Sequence, residues 1–239
     1  MMTFLRLHMF DESPHLIAKP MLDAESLRRL AWSVYYLDAT MDGGHYGFTA
    51  IPDGAFTIPL PCDEKPFLRH QPTSKEYMLP SNSTEPSKDL GLAGYLLRAM
   101  YARQILAGLH SRLQRQLVPV PAIPTYVKQA ESDARQLLGV LPPDLEDSRI
   151  NFHIWKGQQT LFLHLHVLRN TSFRHISLLR ILCSPYLEHV DISTERDKLV
   201  KDASSMSGLF TLSFDRGIVL DPQMAMHAYN GLESKLPRS

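Results

Sequence analysis

Asp38 and Asp42 stand four residues apart, a spacing that would present two carboxylates from one helical face to a magnesium ion. No doubled aspartate and no second metal-binding helix motif accompanies them. The simpler reading is an Asp at a buried helix end followed by a C-terminal turn residue. His164 and His166, taken with His153 or His175, suggest a metal site, but residues two apart on a helix point in different directions. Core or interface histidines account for them better. Gly43, Gly44 and Gly47 superficially resemble a phosphate-cradling loop. They follow a helical pattern and precede none, whereas such loops need a strand before and a helix after. Gly-x-Ser-x-Gly and His-Glu-x-x-His are both absent. No residue is therefore assigned a catalytic, cofactor-binding or metal-binding role, and the chain is expected not to be an enzyme.

Arg174, His175 and Arg180 could touch an acidic partner, although scattered basic positions more often form a solvated face. Cys62 and Cys183 lack the paired spacing of a structural zinc site and read as reduced thiols. The sequons at Asn82 and Asn170 matter only in a secreted chain, and the stretch after Met1 lacks the apolar core and small-residue cleavage site of a secretory signal. The 25 basic residues balance 25 acidic ones, so no overall field draws the chain onto a polyanion, and by itself it is a poor candidate for binding nucleic acid. An apolar share of 44% with 21% charged residues suits a folded domain. The richest apolar run, Leu161 to Leu168, is interrupted by His164 and His166 and falls short of the roughly 18 residues of a membrane span. No membrane partner is expected.

The elements that position these residues read as helices. From Asp23 to Met41 the apolar residues Leu27, Leu30, Ala31, Val34, Leu37 and Met41 recur at helical spacing. Trp32, Tyr35 and Tyr36 form a second stripe beside them, and Gly43-Gly44 stops the helix. Residues 43–86 are rich in Pro, Gly, Ser and Thr and read as a long ordered loop, mobile over 71–86. Pro86 opens a long amphipathic helix reaching about Leu117, which Pro119 to Pro124 ends. A further helix spans Thr125 to Leu138, followed by Pro142-Pro143 and a short connection, then a buried apolar segment from Trp155 to Arg169. After a break at Asn170-Thr171-Ser172 the pattern resumes over Ser177 to Leu182, and Pro185 interrupts it. Thr194 to Leu212 is amphipathic, with Leu199, Ala203, Met206 and Phe210 inside. Strand signals are nearly absent and no internal repeat is found. The expectation is one all-α unit, a multi-helix, bundle-like domain over residues 1–239 with a long ordered loop after its first helix.

The stretch Glu25-Ser-Leu-Arg28-Arg29-Leu-Ala-Trp32-Ser-Val-Tyr-Tyr-Leu-Asp38 resembles the signature helix of the fungal-specific transcription factor domain, the middle homology region of fungal binuclear zinc cluster transcription factors. Ile51-Pro-Asp53 and Ile58-Pro59-Leu60-Pro61-Cys62-Asp63-Glu64 resemble the loop that follows it in that family. Leu161 to Leu168 resembles the family's later apolar helix, and Ala203 to Tyr229, with Asp221-Pro222, its helix, loop and helix. The chain departs from the pattern at Ala39, where Arg is common, and at Ala31, where a larger aromatic is usual. Glu25, Arg28, Arg29, Trp32, Asp38, Pro59, Leu60, Pro61 and Cys62 carry the resemblance as structural residues.

The resemblance implies a nuclear regulatory domain acting in transcription by RNA polymerase II, with co-regulators or a small-molecule effector as partners and a homodimer as one arrangement. Family members contact DNA through a separate six-cysteine zinc cluster, which this chain's two cysteines cannot build. The family's zinc is accordingly not expected here. The chain reads as a partial domain, with Leu5 to His8 resembling the tail of a preceding helical stretch. A magnesium-dependent helical enzyme using Asp38 and Asp42, or a helical remnant that no longer binds DNA, are the alternatives. Within the signature, Glu25 is expected to pair with Arg28 and Arg29 on an exposed edge for roughly 0.3–0.5 kcal/mol per pair, while Trp32 anchors the opposite side.

Overall fold

The computed structural model describes residues 21–41, 51, 58–69, 78–79 and 90–218. Among them are seven α-helices and no strand: α1 (Met21–Met41), α2 (Glu64–Leu68), α3 (Leu92–Gln114), α4 (Ile123–Leu138), α5 (Arg149–Ile154), α6 (Gln159–Leu182) and α7 (Ile192–Asp215). Short 3-10 turns at Val120–Ala122, Pro143–Leu145 and Ser184–Tyr186 link the later ones. The all-α expectation holds.

α3 is apolar nearly all round, with Leu92, Tyr95, Leu96, Met100, Leu106 and Leu109 buried, and such a helix must be enclosed by others. It packs along α4 and α6 and also meets α1, while α7 lies along α6. α4 has the cleanest single stripe: Ile123, Val127, Ala130, Ala134 and Leu137 recur at intervals of three and four and are all buried. Arg98 donates to Gln136 O and Arg112 lies over the Tyr126 ring, so α3 and α4 run antiparallel. Pro124 occupies the first turn of α4, where its missing N–H would have had no helical partner. That helix therefore starts at Ile123, and Val120–Ala122 forms a turn ahead of it. α3 starts at Leu92, later than the expected opening at Pro86, and ends at Gln114, with Gln116 at φ 57° and the Leu117 N–H returning to Arg112 O.

α1 forms over the expected residues, but Leu30 and Leu37, two members of the apolar stripe that marks it, are 47% and 59% exposed. Its buried stripe is Glu25, Arg28, Trp32, Tyr35 and Ala39, with Ala31 beside it. Two apolar stripes competed, and the one that places the Trp32 and Tyr35 rings edge to face, centroids 5.2 Å apart, is the one enclosed. Ala31 and Ala39, the two departures from the resemblance, lie in this packed face. The region read as loop over 43–86 contains the short helix α2. The connection after Pro142-Pro143 contains α5, whose N-cap Ser148 accepts the Asn151 N–H at 3.1 Å.

α6 starts at Gln159, not Trp155, and runs through Asn170-Thr171-Ser172 without a break. Ser172 returns its hydroxyl to Leu168 O at 2.8 Å, so the small polar residue is satisfied inside the helix, and buried Leu168, Ile176 and Leu179 hold the flanking turns. α7 buries Ala203 and Met206 as expected, with Leu209 added and Leu199 and Phe210 half-buried. The readings for Met1 to Pro20, the Met41 side chain, Asp42 to Gly47, Pro52-Asp53, Gln71 to Tyr77, Pro80 to Asp89, Asp221-Pro222 and Tyr229 lie outside the described residues.

Candidate functional site: a helix clamped onto a proline loop

The residues that carry the resemblance meet around the first turns of α1. Glu25 is only 4% exposed, and its carboxylate accepts from Arg28 Nη1 at 2.9 Å, from Arg29 Nε at 3.0 Å and from the Cys62 N–H at 3.1 Å. Arg29 reaches on across the loop. Its Nη1 donates to Glu64 at 2.7 Å, its Nη2 to the Cys62 carbonyl at 3.0 Å, and its guanidinium lies 4.2 Å from the centre of the Phe67 ring. Glu25 and Arg29 together therefore hold both backbone groups of Cys62. Two turns along from Glu25, Trp32 Nε1 donates to the Pro59 carbonyl at 2.6 Å, while Ile58 and Leu60 on either side are buried.

The residue types explain the arrangement. Pro59 and Pro61 have no N–H and a fixed φ, so the loop presents few backbone donors, and the Cys62 N–H is the one the carboxylate takes. Asp38, at the far end of α1, accepts the Ile51 N–H at 3.0 Å and so ties down a second point of the connection. The expectation of an exposed Glu25 edge is overturned. A buried carboxylate gripped by two guanidiniums and a peptide N–H is a different object from a surface pair, because removing one partner strands the others in a poorly hydrated place.

Electrostatics point to structure here. Burial opposes the charge of Arg29, but Glu64 and Glu25 more than offset it and hold the guanidinium above its ordinary value. Burial, with Glu25 beside it, pushes the Cys62 thiol up to about 11, away from thiolate chemistry. Asp38, the described half of the candidate magnesium pair, has its carboxylate on the Ile51 N–H.

The histidines disperse as helix geometry requires. His164 Nδ1 lies 2.8 Å from the Tyr36 hydroxyl on α1, whereas His166 packs edge to face on Phe162, centroids 4.6 Å apart. Burial, then Arg169, push His166 down to about 4, against a hydrogen bond to the Leu145 backbone. His153 is exposed, and His175 meets His110 instead. Among the described residues no three of His, Cys, Asp and Glu come together as metal ligands, and no described helix is long and apolar enough to cross a membrane.

The basic group at 174–180 is not a solvated face. Arg180 pairs with Glu131 on α4 at 3.3 Å and with Glu195 on α7 at 3.1 Å, and Glu195 also takes Lys198 at 2.8 Å. Burial lowers the Arg174 guanidinium, and the charge of Asp202 on α7 works against that. Sequence reasoning also missed the buried guanidiniums. Arg98 donates to Gln136 O, and Arg169 to the carbonyls of Leu138 and Gly139, so two cations cap the C-terminus of α4. The available signal was an arginine set in the otherwise apolar run Leu92 to Met100. No family model, characterised protein or solved structure matches this chain.

Proposed function

We propose that this chain is a regulatory domain of a fungal transcription factor, acting in the nucleus on transcription by RNA polymerase II, with DNA contact supplied by a zinc cluster outside it. The observation that supports the reading is the clamp. The residues that resemble the family signature, separated by up to 37 positions, converge on one another, with Glu25 on the Cys62 N–H and Trp32 on the Pro59 carbonyl. A motif whose two halves bind each other is what a structural family signature needs to be. In this reading the chain has no catalytic role, its partners are co-regulators or a small effector, and zinc belongs to the separate DNA-reading module.

The test is a fusion of residues 1–239 to an unrelated DNA-binding module, read on a reporter carrying that module's site. A change in reporter output that is lost in Trp32→Ala supports the proposal. No change from a soluble, folded fusion would overturn it. The chain alone is expected not to shift duplex DNA even at low salt, where phosphate contacts are strongest, and tight sequence-selective binding would contradict the division of labour.

A further inference from the structure

We draw no further inference here: the strongest candidate, the outward face of α1, where Leu30 and Leu37 stand exposed beside half-buried Leu27 and Val34, is an apolar surface patch, and nothing in the structure shows what covers it.

Discussion

Two buried glutamates, each gripped by two cations, do different work. Glu25 on α1 is 4% exposed and Glu195 on α7 is 3% exposed. The ionic partners of Glu195 are side chains, Arg180 and Lys198, and through Arg180 it joins α7 to α6 and α4. Glu25 also takes a main-chain N–H, and its neighbour Arg29 takes the carbonyl of the same residue. One cluster sets how helices lie together. The other sets the path of a segment that has little regular structure of its own. Burial of a charge alone does not separate these roles; whether the partner is backbone does.

The largest effect is expected from Trp32→Ala, which removes a fully enclosed indole and the donor to Pro59, at a cost on the order of 3–5 kcal/mol. Chemical denaturation would measure it, and an unchanged midpoint would mean the clamp carries no stability. Glu25→Ala comes next at about 3 kcal/mol, since it takes a buried carboxylate away from Arg28, from Arg29 and from the Cys62 N–H. It should also speed hydrogen exchange at the Cys62 amide, where Glu195→Ala should not, and equal acceleration in both would erase the contrast between the two glutamates. Glu195→Ala itself is expected to cost only about 1–2 kcal/mol, because Arg180 and Lys198 are 31% and 50% exposed and water screens them.

Acid separates the residues further. Burial works against the charge of Glu195, yet Lys198, Ser177 and Arg180 hold its carboxyl below the ordinary value. Its contribution is therefore present above pH 4.5 and lost as pH falls through the lowered folded value. His166, down at about 4, acts earlier on acidification, losing its contribution as pH falls from 6.5 toward 4. A His166→Gln variant should flatten the stability profile across that interval and leave the limb below pH 4 unchanged, which unfolding curves across the range would check. The smallest effect is expected on the outer face of α1, where Leu30→Ser and Leu37→Ser should each stay within about 0.5 kcal/mol in thermal unfolding.

How much of this was legible depends on the range of the interaction. α4 could be read almost residue by residue, because one apolar stripe runs its length and a proline opens it. α1 was legible as a helix but not in its rotation. Leu27, Leu30 and Leu37 competed there with Trp32 and Tyr35, and the partner that decides, the loop at 58–62, lies some distance along the chain. The same separation hid the burial of Glu25, whose local neighbours Arg28 and Arg29 look like an ordinary surface ladder. The continuity of α6 was missed because Asn170-Thr171-Ser172 has the composition of a turn, while its satisfaction within the helix depends on anchors on either side. The clamp residues were found together through resemblance; their mutual contacts were not deducible from spacing.

Gly91, just ahead of α3, lies so close to the loop that a Cβ there would stand 2.7 Å from the Asp63 Cα. The loop held by α1 thus touches down on the start of the central helix at a point with no room for even a methyl group. Gly91→Ala would therefore act as a wedge, pushing the loop at Asp63 off the start of the central helix.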